Sequence, residues 1–324
     1  MIDQQYITDF SQLCYAEKVV MQEGKAKGMT FVNMYNGIFH ISVSVDQAMN
    51  IYQADYRGKN MVFKSKNGIV NPKLSSDAVK FLNDFGGGLF YTCGLDNIGG
   101  PNEGFVQHGS ISYLPADFVN ITKGNNDDHI YYVEVSGEIK YTSLFGSNLI
   151  LKRAIRMYYN EPNIWITDEI INRNFNDDQY MLMYHFNFGY PFINENTTLS
   201  INETIQTRRL NEQKNVENDN FCRLEKPQKA KDEEVFIHTL KNEKTNIDVD
   251  NQIEILNLSF DNHRLKYLTQ WKSMASGDYV LGIEPATCQL DHRGYTMIKA
   301  FDQHRYQLKI SVHSKKTTKG ENNE

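Results

Sequence analysis

The chain of 324 residues is poor in cysteine: it has four, Cys14, Cys93, Cys222 and Cys288, and no two of them have the spacing of a CxxC or zinc motif. We therefore expect ordinary thiols in a reducing compartment. The sequence also lacks any apolar run close to the roughly 18 residues of a membrane span. Its first residues, Met1 to Gln5, have neither the basic nor the apolar region of a signal peptide. These absences predict a soluble, cytoplasmic protein that does not enter a membrane.

Basic residues are outnumbered by acidic ones: the chain has 34 lysines and arginines and 40 aspartates and glutamates, which gives a net charge of −6. A chain without a basic face cannot neutralise a phosphate backbone, so nucleic acid is excluded as a partner. The one dense basic run, Lys315-Lys316, falls in a tail, residues 314–324, that we expect to be disordered. No linker rich in proline, glycine or serine divides the rest, which predicts a single domain over residues 1–313.

Alternation of apolar and polar residues, the period of a half-buried strand, recurs along most of the chain. It is clear in the segments that begin at Phe39, Tyr131, Leu151 and Tyr306. Helical patterns are sparse and are confined to Ser75–Asn83, with Ser75 or Ser76 as a cap, and to Phe10–Glu23. No repeat of fixed period is present, which argues against a propeller or solenoid. The sequence therefore predicts an all-β fold, a large antiparallel β-sandwich with less than about a fifth helix.

Three segments carry groups that can transfer protons. His108 stands in Gln107-His108-Gly109, after a stretch dense in glycine, and on its own it is equally well explained as a structural histidine. His185 and Asn187 lie in a run too apolar for a surface loop, Met181 to Pro191, which reads as a buried strand. Strand geometry places His185 and Asn187 on one face of that strand. Buried polar groups need partners, either each other or a ligand rich in hydroxyls.

Glu284 ends the apolar run Tyr279 to Ile283 and precedes Pro285, which keeps it extended. A glutamate in such surroundings is either a solvated residue at a strand end or a partly desolvated carboxylate with a raised pKa. The apolar approach favours the second interpretation. A carboxylate with a raised pKa suits a general base.

These segments, taken in order, resemble the DUF4432 group of the aldose 1-epimerase (galactose mutarotase)-like superfamily. The resemblance runs from about Phe31 to Val312 and is carried by Gln107 to Gly109, Tyr184 to Pro191, Gln270 to Lys272 and Gly282 to Thr287. It implies a galactose mutarotase-like β-supersandwich with a sugar-binding cleft on one sheet. It also implies that His185 is the general acid, that Glu284 is the general base, and that His108 binds and orients the sugar.

The same resemblance implies substrate-binding roles for Asn187, Gln270, Trp271 and Lys272. Near the start of the chain, where the group has an arginine and a second aspartate, this sequence has the amides Gln47 and Asn50, and we place these two with the sugar-binding residues. An amide does not replace a guanidinium fork. The mechanism that the resemblance implies needs neither a metal nor an organic cofactor.

The function expected from this resemblance is the interconversion of the anomers of a free monosaccharide or small sugar derivative. A sugar-binding or sensing protein without catalysis is an alternative, which Gln47 and Asn50 favour. A sugar isomerase or lyase that uses the same acid and base at other carbons is a second alternative. A phosphosugar epimerase is disfavoured because no Arg/Lys cluster adjoins the three segments. A metalloenzyme that uses His108, His185 and Glu284 lacks the usual ligand spacing. The sequence gives no oligomeric state.

Overall fold

Two antiparallel β-sheets packed face to face form the protein. The computed structural model describes residues 4–74, 80–101, 104–126, 130–202, 204–216, 221–241, 244–290 and 294–315. Strands make up 55% of the structure and helices 6%. The prediction of an all-β antiparallel sandwich is therefore confirmed. None of the described helices is long and apolar enough to cross a membrane.

The described residues contain twenty strands. In chain order they are β1 (Tyr15–Val20), β2 (Thr30–Tyr35), β3 (Phe39–Ser44), β4 (Asn50–Tyr56), β5 (Lys59–Asn60), β6 (Phe90–Leu95), β7 (Ala116–Asn125), β8 (Tyr131–Thr142), β9 (Asn148–Tyr158), β10 (Asn163–Asn172), β11 (Asp178–Gly189), β12 (Thr198–Ile201), β13 (Thr204–Arg209), β14 (Glu234–Leu240), β15 (Lys244–Asp250), β16 (Glu254–Asp261), β17 (Tyr267–Ala275), β18 (Asp278–Ala286), β19 (Thr296–Ile298) and β20 (Gln303–Ser314). The first sheet has the order β1-β2-β3-β4-β6-β11-β18-β17-β14-β13, with β5 on β4 and β19 on β11. The second has the order β12-β15-β16-β20-β10-β9-β8-β7.

Helices are few and short in the part of the chain that the structure describes. They are the α-helix α1 (Lys80–Asp84), a helical pair of residues at 221–222, and 3₁₀ turns at Gln4–Tyr6, Phe10–Gln12, Pro72–Leu74 and Ile111–Tyr113. The caps predicted at Ser75 and Ser76 lie outside the described residues.

The helix predicted over Phe10–Glu23 is wrong. Only the turn Phe10–Gln12 is helical, and β1 follows it and pairs along its whole length with β2. Partners distant in sequence decide this segment, because pairing with β2 satisfies its backbone and lets Ala16 pack into the core. At the other end of the chain, Ser314 is still paired, with Glu254 in β16. Residues 316–324 lie outside the described residues, so the disordered tail stays a prediction.

The main core fills the space between the two sheets. The alternation in the sequence assigns its members correctly, since the inward residues of each predicted strand are buried: Phe39, Ile41 and Val43 in β3, Val133 and Val135 in β8, Leu151, Ile155 and Met157 in β9, and Leu308, Ile310 and Val312 in β20. The exception to the apolar pattern is Arg153 of β9, which follows the same alternation and is only 1% exposed.

Arg153 is neutralised inside the core by Asp168 of the neighbouring strand β10. Its Nε donates to Asp168 Oδ1 at 2.9 Å and its Nη2 donates to Oδ2 at 2.6 Å, a bidentate pair. Both side chains also reach across to the first sheet. Arg153 Nη1 donates to Ala48 O at 2.7 Å and to Thr92 Oγ1 at 2.8 Å, and Tyr184 Oη donates to Asp168 Oδ2 at 2.8 Å. The ion pair thus joins the two sheets.

We expect the Arg153–Asp168 pair to be costly to break. Arg153→Met leaves a buried carboxylate without its cation, and Asp168→Asn leaves a buried guanidinium without its anion. Each substitution should therefore lower the free energy of unfolding by about 3–5 kcal/mol. Their effects should be strongly non-additive in a double-mutant cycle measured by urea denaturation.

Arg156→Met is the matched control, because Arg156 lies on the same strand and pairs with Glu134 at 2.7 Å while 36% of its side chain is exposed. Screening by solvent should hold its cost to about 1 kcal/mol or less. Equal losses for the buried and the surface arginine would contradict the linking role of Arg153.

Candidate active site

A cleft with a volume of about 470 Å³ lies on the face of the first sheet that points away from the main core. A second apolar cluster, which includes Phe63, Phe81 and Phe85, forms much of its wall. The polar groups in its lining include His108, His185, Glu233, Asp278 and Glu284. The cleft therefore combines apolar walls with a small number of groups that can exchange protons, which is the usual make-up of a ligand site.

Strand β11 brings His185 into this cleft by alternation. Tyr184, Phe186 and Phe188 point inward and belong to the main core, so His185 must point outward. His185 is only 4% exposed, because Phe85 and Trp271 pack against its ring with centroids 5.8 and 5.6 Å away. The tyrosine before it is the one that binds Asp168, so the inter-sheet ion pair indirectly fixes the direction of the histidine.

Glu284 stands directly opposite His185 on the neighbouring strand. The register that pairs Phe186 with Ile283 between β11 and β18 also sets His185 against Glu284. Glu284 Oε1 lies 3.2 Å from His185 Nε2, within hydrogen-bonding distance. Gly282 makes room for this arrangement, since a Cβ there would lie 2.8 Å from the Cβ of Trp271 and 3.1 Å from Glu284 Oε1.

His108 reaches the same point from a loop. It adopts a left-handed backbone (φ 61°), and Gly109 follows with φ 78° at a place where a Cβ would overlap Asn97 O at 2.3 Å. His108 Nδ1 lies 2.7 Å from Ile98 O. Since a carbonyl only accepts, Nδ1 carries the proton and Nε2 of the neutral ring is an acceptor. The rings of His108 and His185 meet edge to face, with centroids 5.4 Å apart.

Burial controls the charge of these three groups. Burial lowers the pKa of His108 to about 4. Burial, with a smaller contribution from His108, lowers the pKa of His185 well below its ordinary value. Burial raises the pKa of Glu284 to about 8, and the nearby Glu233 carboxylate adds to that rise. All three side chains are therefore uncharged at neutral pH. The proton that can move between His185 and Glu284 is then on Glu284.

Asn187 lies beside His185 and outside the cleft lining. Its Nδ2 donates to the carbonyl of His185 at 2.9 Å. Asn187 Oδ1 and His185 Nδ1 are both buried without a hydrogen-bond partner among the residues that the structure describes. The two side chains share a face of β11, as predicted, but in this structure Asn187 supports the backbone at His185 and does not reach the cavity.

Strand β17 contributes Trp271 to the cleft but turns its neighbours the other way. Gln270 lies 3.1 Å from His238 Nε2 and donates to Phe221 O at 2.9 Å. Lys272 lies 3.4 Å from carboxylate oxygens of Glu225 and of Glu234. The prediction that Gln270 and Lys272 bind sugar therefore does not fit their position, because residues on either side of Trp271 must face the opposite side of the sheet.

Gln47 and Asn50 are also buried away from the cleft. Asn50 Nδ2 donates to Ser112 Oγ at 2.8 Å, and its Oδ1 accepts from the backbone and the hydroxyl of Thr92 at 3.0 and 2.7 Å. Gln47 Nε2 donates to Val70 O at 3.2 Å. Both amides bind other parts of the chain, so their predicted contact with sugar is corrected to a structural role.

Glu233 is a cleft residue that the sequence did not reveal. It immediately precedes β14, at the end of a polar stretch, and its Oε2 accepts a hydrogen bond from Trp271 Nε1 at 2.7 Å. The alternation of β14 was the available signal, because it sets Glu233 and Val235 on the cleft side and Glu234 behind the sheet with Lys272. Among the described residues, no group of three or more His, Cys, Asp or Glu side chains could hold a metal ion.

Comparison with known proteins gives a family and a fold. The model of a family described as "Domain of unknown function (DUF4432)" matches residues 26–312. No curated protein matches the sequence. A candidate aldose 1-epimerase from Klebsiella pneumoniae superimposes with a TM-score of 0.84 at 21% identity, over 92% of this chain and 83% of that chain. A galactose mutarotase-like protein from Clostridium acetobutylicum does so with a TM-score of 0.64 at 14% identity, over 94% of this chain and 100% of that chain. Likenesses at such identities establish the fold.

The raised pKa of Glu284 should make the folded protein less stable as the pH rises. Between the ordinary carboxyl value of 4.5 and about 8, the folded state holds a proton that the unfolded chain releases. The stability that protonated Glu284 contributes is therefore fully present below pH 4.5 and is lost as the pH rises toward about 8. Glu284→Gln cannot ionise and keeps a donor for His185.

The free energy of unfolding of Glu284→Gln, relative to the wild type, should grow from about pH 5 to about pH 8, on the scale of about 1.4 kcal/mol for each unit of pKa shift. Urea denaturation of both proteins across this range measures the difference. A difference that does not vary with pH would mean that Glu284 is already ionised near pH 5.

Proposed function

The chain belongs to the DUF4432 family, and on that premise we propose that it is a carbohydrate epimerase that interconverts the anomers of a free sugar by general acid and base catalysis. The observation that carries this proposal is the close approach of His185 Nε2 and Glu284 Oε1, 3.2 Å apart, at the floor of a cleft of about 470 Å³. A cleft of this size accommodates a monosaccharide.

Anomerisation needs one group that accepts a proton and one that donates, and the pair holds the single proton that this requires. Moving that proton from Glu284 to His185 leaves a carboxylate and an imidazolium. The carboxylate removes the proton of the anomeric hydroxyl while the imidazolium protonates the ring oxygen. The C1–O5 bond then breaks to give the open-chain aldehyde, rotation about C1–C2 turns the carbonyl over, and the ring closes on its other face. Each proton transfer contributes roughly 10²–10⁴-fold to the rate.

The surroundings of the pair support this chemistry. Hydroxyls of a bound sugar can hydrogen-bond the Glu284 carboxylate, which offsets the cost of creating a charge in a buried place. Nε2 of His108 is an acceptor, since its Nδ1 is committed to Ile98 O, and it can orient a sugar hydroxyl. The indole of Trp271 offers an apolar surface to the C–H groups of the ring. None of these steps requires a metal or an organic cofactor.

The charges of the cleft favour an uncharged sugar. Lys66 is the one lysine or arginine among the lining residues that the structure describes, and it is paired with Asp278 at 2.8 Å. Glu233 and Asp278 contribute carboxylates to the same lining. A phosphorylated or otherwise anionic sugar would meet repulsion here without a free cation in compensation. We therefore propose a neutral monosaccharide or small derivative as the substrate, in the cytoplasm.

Two alternatives use the same cleft. A sugar-binding or sensing protein would need the cleft without turnover. A sugar isomerase or lyase would apply the same acid and base at other carbons. The burial of Gln47 and Asn50 away from the cleft removes the sequence feature that favoured the binding protein, so the epimerase is better supported than the binding protein.

Loss of either member of the pair should stop exchange without unfolding the protein. Glu284→Gln keeps the shape and removes the base, and His185→Asn keeps some hydrogen bonding and removes the acid. Each should lower the anomerisation rate by about two orders of magnitude or more, with sugar affinity changed far less. His108→Ala should chiefly weaken binding. The measurement is NMR exchange between anomers across a panel of aldoses.

The same panel distinguishes the alternatives. If the wild type binds a sugar but exchanges its anomers no faster than buffer does, the binding-protein interpretation replaces the epimerase. If it converts a sugar into a different aldose, a ketose or an unsaturated product, the isomerase or lyase interpretation replaces it.

A further inference from the structure

The polar segment before β14 places the carboxylate of Glu233 against Trp271, in the cleft that His185 and Glu284 also line. Glu233 Oε2 accepts the indole N–H of Trp271 at 2.7 Å, and both residues line the cleft. Trp271 in turn packs edge-on against the ring of His185, with centroids 5.6 Å apart, and against Phe63 at 6.3 Å. The orientation of the indole beside His185 thus has a specific polar anchor.

The anchor is itself held from behind the sheet. Glu234, the next residue, pairs with Lys272 through an N–O distance of 3.4 Å on the opposite face. Lys272 is only 2% exposed and also lies 3.4 Å from Glu225, while Gln270 donates to Phe221 O at 2.9 Å. The polar residues on either side of Trp271 therefore attach the segment over residues 221–234 to the back of β17, and this attachment sets Glu233 at the rim of the cleft.

We infer that Glu233 is a positioning residue with two effects: its hydrogen bond fixes the Trp271 indole as the wall beside His185, and its negative charge, in the same cleft lining as Glu284, adds to the effect of burial in keeping the shared proton on the His185–Glu284 pair. The first effect stands on geometry alone. The second rests on the proposed function, because it concerns the protonation state in which the pair is active.

The charge has a defined direction. A carboxylate near Glu284 disfavours a second negative charge, and the pKa of Glu284 is raised accordingly, after the larger effect of burial. If the Glu233 charge is removed, Glu284 should release its proton more easily. The alkaline limb of the pH–rate profile, where the pair loses its one proton, should then move to lower pH.

Two substitutions separate the two effects. Glu233→Gln keeps an oxygen acceptor for the indole and removes the charge, whereas Glu233→Ala removes both. Asp232→Asn is the matched control: it removes one negative charge from the adjacent residue, which is exposed and does not line the cleft.

The positioning effect is measured without any turnover. The chain has two tryptophans, Trp165 and Trp271, and Trp165 lies on β10 in the other sheet, so the Trp165→Phe protein reports Trp271 alone. In that background, Glu233→Ala should lower the fluorescence anisotropy of the indole and shift its emission to longer wavelength. Glu233→Gln and Asp232→Asn should resemble the parent. An unchanged indole in Glu233→Ala would overturn the positioning role, whether or not the protein is an epimerase.

The charge effect is measured on the anomerisation of the best neutral aldose. Glu233→Gln should shift the alkaline limb to lower pH with KM nearly unchanged. Glu233→Ala should show the same shift and raise KM several-fold, and Asp232→Asn should match the wild type. A Glu233→Gln profile that coincides with the wild type overturns the charge effect. A wild type that catalyses no exchange overturns the proposed function and the charge effect together, and leaves the positioning effect to the fluorescence result.

Discussion

The bidentate ion pair of Arg153 with Asp168 is the interaction on which the site depends. It places one full positive and one full negative charge between two sheets, where each is tolerable only in the presence of the other. Both partners also bind strands of the first sheet, the arginine through Thr92 and the aspartate through Tyr184. Burial, together with the Asp168 carboxylate, raises the pKa of Tyr184 well above its ordinary value, so its hydroxyl remains a donor. With Tyr184 held inward, the next residue, His185, has one direction open to it.

The proton chemistry of the cleft follows from burial in the same way. Water that would solvate an imidazolium or a carboxylate is largely excluded from His185 and Glu284. The pKa of His185 is therefore lowered and that of Glu284 is raised, and both shifts favour the neutral forms. The pair then holds one transferable proton, which these pKa shifts keep on Glu284 until a contact from outside the pair stabilises the ionised forms. A site that must accept and donate a proton in the same turnover is well served by such a pair, because the number of protons it needs at the start and at the end is the same.

The two faces of the first sheet have different roles: one face lines the cleft, and the other makes structural contacts. Residues that face the cleft, such as Trp271, meet the site, and their immediate neighbours Gln270 and Lys272 hold a connecting segment on the other side. This division explains why a polar cluster in the sequence was a poor guide to sugar contacts. A run such as Gln270-Trp271-Lys272 reads as one polar patch, but strand geometry sends its members to opposite faces, and only the middle one reaches the cavity.

Sequence alone determined the fold class and the identity of the central pair. Alternation with a period of two identifies buried and exposed faces wherever one face is apolar, and it is a local property, so β3, β8, β9 and β20 could be predicted directly. His185 and Glu284 could be found because each interrupts an apolar run. The tertiary structure decided everything that depends on pairing between distant segments. It set His185 opposite Glu284 through the register of β11 and β18, formed strand β1 within Phe10–Glu23, and buried Gln47 and Asn50 in structural contacts. It also brought Glu233 to Trp271 across 38 residues. A local pattern can indicate the face on which a residue lies, as it does for Glu233, but not its partner, because each contact is fixed by the register of neighbouring strands, and that register is set by packing over the whole sheet.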